Sequence, residues 1–156
     1  MKRIIFLDID GVLAGYEFLM TRKGFIDPEK VALLNELEDV EIVISSSWGY
    51  DNGRTEKSLR GCGLTLPIIG YTEHFYQDWI CRGNEIEKWL CDTFHGMGTK
   101  FGHYYVDSPY EYVIVDDDSD MLLGQAEHFV KTNRETGITK EDIEKIKTIL
   151  KLKKDE

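Results

Sequence analysis

The chain has 156 residues, enough for one domain with a single core and too few for two large ones. Its 29 acidic and 19 basic side chains leave a net charge of −10, which disfavours binding nucleic acid over a broad face but leaves room for a local basic patch. Hydrophobic residues make up 42% of the chain, an ordinary share, and no apolar run approaches the ~18 residues of a membrane span, so no membrane partner is expected. The start, from Met1 to Asp8, lacks the long apolar stretch of a secretory signal. Cys62, Cys81 and Cys91 are odd in number and form no CxxC pair. They point to reduced thiols and a cytoplasmic location rather than a disulfide framework or a zinc site.

Residues 3–7 are a short apolar run that ends at Asp8, as a buried parallel strand does. Residues 11–26 then make a small flap, expected as a hairpin turning near Thr21 and Arg22. Asp27, Pro28 and Glu29 read as an N-cap, a proline at the first helical position and an acidic first turn. They lead into Val31, Leu34 and Leu37 at helical spacing. A second strand is expected over 41–44, closing on Ser45, Ser46 and Ser47, and a helix carrying Arg54, Lys57 and Arg60 follows. A third strand over 64–69 contains Pro67, which suits an edge. The spacing of Ile86, Trp89, Leu90 and Phe94 predicts a helix over 84–94, with a variable loop over about 95–111. Strands are expected over 112–115 and 128–131. Thr139 and Asp142 look like a variant capping box opening a last helix through Ile143, Ile146 and Leu150. Strands alternating with helices imply an α/β, Rossmann-like parallel sheet of about five strands with helices on both faces, as one domain over 1–156.

In such sheets the ligand sits beyond the carboxyl ends of the strands. Polar residues cluster there: Asp8 and Asp10 after the first strand, Ser45 after the second, and Asp116, Asp117 and Asp120 after the fourth. So many carboxylates in one place repel one another and resist ionisation. A hard divalent cation relieves this, and Mg²⁺ favours a few carboxylates together with waters and phosphate oxygens. Aspartates after strands also serve as turn residues and helix caps. Acidic pairs at the ends of two separate strands favour the metal site.

The run Phe6-Leu7-Asp8-Ile9-Asp10-Gly11-Val12-Leu13 resembles the first motif of the haloacid dehalogenase (HAD) superfamily in its phosphatase form. The resemblance implies that Asp8 attacks phosphorus to form an aspartyl-phosphate. Asp10 would protonate the leaving alcohol and then activate water. An aspartate two residues after the nucleophile separates phosphatases from dehalogenases, which lack it, and from transport ATPases, which carry threonine. Ser45, ending Ile42-Val43-Ile44, matches the second motif. Its hydroxyl and the Ser46 N–H would hold a phosphoryl oxygen, with Gly11 also at the substrate. Arg82, in Arg82-Gly83-Asn84-Glu85-Ile86, matches the third, where many members have lysine, and would offset the charge on phosphoryl group and nucleophile. Asp116 and Asp117 match the fourth. The implied metal set is Asp8, the Asp10 carbonyl, Asp116 and Asp117, with Asp117 and Asp120 binding its waters or orienting Arg82. The resemblance spans roughly residues 3–132. The segments around Ser46-Ser47-Trp48, Arg82 to Trp89 and Asp116 to Met121 are similar to HAD-type domains grouped with Swiss Army Knife RNA-repair proteins.

Neither the flap nor the loop is long enough for the cap domain that many small-metabolite members carry. An open site suits a bulky substrate such as a nucleic acid end. Aromatic residues at Tyr71, Phe75, Tyr76 and Trp79, and at Phe101, Tyr104, Tyr105, Tyr110 and Tyr112, could stack on bases, although packing is their commoner use. Arg54, Lys57 and Arg60 could meet a phosphate backbone, or simply form a solvated helix face. His74, His95, His103 and His128 show no ligand spacing. Asp116 to Glu127 imitates a calcium-binding EF-hand loop, but Met121 stands where glycine is needed. A response-regulator receiver domain would need an acid after the third strand, and none is there. The expected activity is a Mg²⁺-dependent phosphomonoesterase acting on nucleic acid ends. The alternatives are a small-molecule phosphatase such as a 5′-nucleotidase, or a non-catalytic domain that binds metal and phosphate. The leaving group, the 3′ or 5′ position of the phosphate and the oligomeric state are left open by these residues.

Overall fold

Ile4, Ile5, Phe6 and Leu7 are all 0% exposed, so the strand that carries them must be covered on both faces and paired on both edges. The computed structural model, which describes residues 1–75, 80–95 and 110–152, shows how this is met. Strand β1 (Lys2–Leu7) is the centre of a five-stranded, all-parallel sheet. β2 (Glu41–Ile44) and β3 (Ile68–Tyr71) lie on one side, β4 (Tyr110–Asp116) and β5 (Phe129–Lys131) on the other, in the order β3-β2-β1-β4-β5. Because side chains alternate along a strand, Ile5 and Leu7 join Ile42, Ile44, Val113 and Val115 on one face. There they meet α2 (Pro28–Leu34), α3 (Arg54–Gly61) and α5 (Lys140–Ile149). Ile4, Phe6, Val43 and Ile114 face the other way, onto Ile86 and Leu90 of α4 (Arg82–Leu90).

Register determines where the polar residues emerge. Leu7 is opposite Ile44 on one side and Val115 on the other, so the next residues, Asp8, Ser45 and Asp116, leave the sheet at one level. The chain order also reverses at β1, and the crevice of a doubly wound sheet opens at such a switch point.

Several expectations need correction. The flap is not a hairpin: Tyr16–Met20 form a short helix, α1, followed by Arg22 at φ 56°. The Tyr16 and Glu17 amides donate to the carbonyls of Arg134 and Glu135, at 2.9 and 3.0 Å, so a distant turn starts this helix. β3 is an edge strand as expected but begins after Pro67, whose ring leaves only a carbonyl to pair, with the Ile42 amide at 2.8 Å. α4 opens two residues early and passes into a π-helical turn over Cys91–His95. Arg60 is not part of a free basic face: it donates to the carbonyls of Leu64 and Leu66, at 2.9 and 2.7 Å, and ties down the loop after α3. Tyr110 stacks on Phe94 and Tyr112 on His128, so packing occupies both. Asp116 ends a strand rather than following a helix, which removes the EF-hand reading. Tyr76, Trp79 and most of the 95–111 loop, including Phe101, His103, Tyr104 and Tyr105, lie outside the described residues. Among the described residues no cap domain stands over the strand ends, and no helix is long and apolar enough to cross a membrane.

Gly83 presses the start of α4 against the segment after β4. A Cβ there would lie 2.5 Å from the Leu122 amide nitrogen and 2.6 Å from Gln125 Oε1. Gly83→Ala is therefore expected to destabilise the fold by about 1–3 kcal/mol through overpacking. Thermal melting checks this, and an unchanged midpoint would contradict the close approach.

Candidate active site

The sheet ladder extends one residue past each strand and holds the site's backbone in place. The Asp8 amide donates to the Val115 carbonyl at 3.0 Å, Ser45 to Leu7 at 2.8 Å and Thr132 to Asp116 at 2.9 Å. Three carboxylates converge as a result. Asp8, Asp116 and Asp117 each offer an oxygen within 4.8 Å of the other two. Asp8 and Asp116 are only 8% and 3% exposed. Burial lifts the Asp8 carboxyl to about 6, against the pull of the Ile9 N–H, the Arg82 charge and the Ser46 hydroxyl. Burial and then the charge of Asp8 lift Asp116 further, to about 8. A group of hard oxygen donors that cannot all ionise without help suits a hard divalent cation, and these three could coordinate one.

Gly11 allows the close approach of the two acidic segments. Its φ is +76°, and a Cβ would meet Asp117 Cγ at 2.3 Å. Its carbonyl accepts from Thr132 Oγ1 at 2.8 Å. The Asp10 carboxylate is outside the cluster. It is exposed and accepts from Trp48 Nε1 at 3.1 Å. Ser46 is buried, hydrogen-bonds Asp8 through its hydroxyl and accepts from the Trp48 amide at 3.3 Å. The Ser45 hydroxyl is buried without a hydrogen-bond partner among the described residues. Asp8, Asp10, Ser47, Arg82, Asp117 and Arg134 share the lining of a cavity of about 340 Å³.

Arg82 is fixed at two points. Its amide donates to Asp120 Oδ2 at 2.9 Å, capping α4 from outside the helix. Its Nε lies 3.6 Å from Oε2 of Glu85, one turn along α4. Glu85 is 2% exposed, and its other oxygen accepts from the Phe75 amide at 2.9 Å and meets His74 Nδ1 at 3.0 Å. Arg82 Nη1 is buried with no hydrogen-bond partner among the described residues. Its charge draws down the pKa of both Asp8 and Asp116.

Asp8, Asp116, Asp117, Arg82 and Ser46 are thus brought together. Asp10 and Gly11 line the same cavity, and Asp120 serves the helix start rather than the cluster. Trp48, Glu85 and Arg134 were not among the expected site residues. Arg134 Nε pairs with Asp117 Oδ2 at 3.4 Å. An acid beside Ile86, on the buried side of a helix that opens with arginine, was a readable signal for Glu85. No local pattern joins Trp48 to Asp10.

The burial of Asp8 and Asp116 has a consequence for stability. Both folded pKa values lie above the unfolded value of about 3.9, so between these limits the folded chain holds more protons than the unfolded one. Without metal, this contribution is complete below about pH 4 and is lost as pH rises through about 6 and then about 8. Melting in chelator should show wild type losing stability relative to Asp116→Asn across that window. A divalent cation at 100 times its dissociation constant should add about 2.7 kcal/mol to wild type at the alkaline end. A cation-independent midpoint would contradict the metal assignment.

A family model described as the HAD domain in Swiss Army Knife RNA repair proteins matches residues 4–143. No curated protein and no solved structure matches the chain. The match takes in β1 from Ile4 onward, the other four strands and every carboxylate of the cluster. The chain belongs to the HAD superfamily, in the family of HAD domains of Swiss Army Knife RNA repair proteins.

Proposed function

We propose that this domain is a Mg²⁺-dependent phosphomonoesterase that works through an aspartyl-phosphate on Asp8 and acts on nucleic acid ends. The observation that carries the reading is the meeting of buried Asp8, Asp116 and Asp117 in the field of an arginine whose Nη1 has no partner among the described residues. Asp8, the Asp10 carbonyl, Asp116 and Asp117 would hold Mg²⁺, which when bound supplies positive charge to the phosphoryl oxygens and keeps the nucleophile ionised.

The chain's own residues then divide the work. An Asp8 oxygen attacks phosphorus, and the bond from phosphorus to the leaving oxygen breaks. Asp10 delivers its proton to that oxygen. The resulting Asp10 carboxylate takes a proton from water, which attacks phosphorus and releases Asp8. Trp48 Nε1 steadies the Asp10 carboxylate at the rim of the cavity. Arg82 Nη1 and the Ser45 hydroxyl have donor capacity to spare and would meet phosphoryl oxygens. Glu85 orients Arg82 without approaching the phosphate itself.

Support for a nucleic acid substrate comes from the family's description and from the lack of a cap over the strand ends among the described residues. The modest cavity, about 340 Å³, favours a second reading, a phosphatase for free nucleotides. Turnover of mononucleotides should be compared with that of oligonucleotides phosphorylated at either end, both with Mg²⁺. Preference for an oligonucleotide end is expected, and preference for mononucleotides would install the second reading. Asp8→Asn should abolish turnover of every ester. Asp10→Asn should lose about 10²–10⁴-fold with poor leaving groups, and much less with p-nitrophenyl phosphate in single-turnover phosphorylation. Equal loss with both kinds of ester would reassign Asp10.

A further inference from the structure

A second cavity, of about 460 Å³, is lined in part by sequence neighbours of residues that line the first, Phe18 beside Leu19 and Trp48 beside Ser47. Two elements are common to both. α1 turns Tyr16 and Leu19 toward the candidate active site, while Phe18 lines the second cavity. Trp48 lines the second cavity as well, and its Nε1 donates to Asp10 at 3.1 Å. One indole therefore spans from the acid/base carboxylate to the new cavity.

The walls of this cavity are aromatic and apolar, from Phe18, Phe25, Ile26 and Trp48. Phe25 is 77% exposed, a flat ring left open to solvent beside a concave surface. Lys23 is the one charged residue in the lining, and it makes no ion pair among the described residues. The chain carries a net charge of −10, yet an anion approaching here meets a cation and no carboxylate of the lining. Flat apolar walls with a single cation are complementary to a planar ring attached to an anion. The volume falls within the range of small-ligand pockets.

We infer that this cavity is the leaving-group subsite: the base of the nucleotide whose phosphate lies at Asp8 packs against Phe25 and Trp48, and Lys23 meets the next phosphate of the strand. The inference rests on the phosphatase reading and adds to it the feature that tells a nucleotide from a simple phosphoester. A base held on Trp48 also braces the indole that holds Asp10, so binding away from phosphorus serves orientation at the reacting atoms.

Calorimetry on the Asp8→Asn variant with Mg²⁺ tests this without turnover. The probes are adenosine monophosphates with phosphate at the 3′ or the 5′ position, and ribose 5-phosphate, which has no base. At least one of the nucleotides should bind more tightly than ribose 5-phosphate. Adding Phe25→Ala, an exposed position whose truncation spares the core, should reduce that advantage by roughly 5- to 150-fold, the worth of one stacked base. Adding Lys23→Ala should weaken a phosphorylated dinucleotide more than a mononucleotide. Equal affinity for nucleotide and sugar phosphate, or equal weakening of both by Phe25→Ala, would overturn the subsite. So would Phe25-dependent self-association, which would give the face to a second copy of the chain. Hydrolysis of the same adenosine monophosphates by wild type with Mg²⁺ reads the phosphatase proposal separately. Turnover without a base advantage overturns the subsite alone, and a base advantage without turnover overturns the phosphatase reading alone.

Discussion

Asp8 and Asp116 share one dehydrated corner because β1 and β4 run in register and end together, and their mutual repulsion is the constraint that the rest of the site answers. The backbone of each is held at its strand end by ladder hydrogen bonds, from the Asp8 amide to Val115 and from the Thr132 amide to Asp116. The relief comes from outside the sheet. Arg82 reaches the pair from α4, and the helix start is tied to the acidic segment through the bond from the Arg82 amide to Asp120. Glu85 holds the guanidinium from behind and is itself held by the Phe75 amide and His74. A buried acid thus serves to aim a base at other buried acids. Oε1 of the buried Glu85 takes both the Phe75 and the His74 contacts, and Oε2, which has no hydrogen-bond partner among the described residues, faces the Arg82 charge.

The two aspartates of the first motif occupy different surroundings, and in the proposed reaction that difference separates their tasks. Asp8 is buried in an acidic cluster, where a cation would keep it charged and reactive. Asp10 is exposed, outside the cluster, and braced by a single indole N–H. In the proposed reaction it stands open to a leaving group at the mouth. Two carboxylates set apart by their environments are a common basis for dividing nucleophile from acid/base. Gly11 keeps the first motif close to Asp117, because a side chain there would collide with Asp117 and drive the two segments apart.

Much of this was legible from residue order. Strands buried on both faces read as unbroken apolar runs, so residue order marks β1, β2, β4 and β5 to within about two residues, and the sheet-end rule gathers Asp8, Asp116 and Asp117. Local chemistry also announced α2 and α5, whose caps Asp27 and Thr139 make the expected bonds. What escaped depends on distant contacts. α1 is five residues long and starts on carbonyls of the turn after β5, so no local period marks it. Arg60 looks like a surface cation until the loop that it tethers is seen. The bond from Trp48 to Asp10 joins two loops whose approach only the assembled sheet creates.

The central claim is that Asp8 becomes phosphorylated. The direct measurement is acid quenching of wild type during turnover, followed by peptide mass spectrometry with and without hydroxylamine, which cleaves acyl phosphates and spares phosphoserine. The expected result is a phosphoryl group on the peptide containing Asp8, removed by hydroxylamine and missing from Asp8→Asn. A hydroxylamine-resistant adduct on Ser45, Ser46 or Ser47, or turnover with no adduct on Asp8, would contradict it.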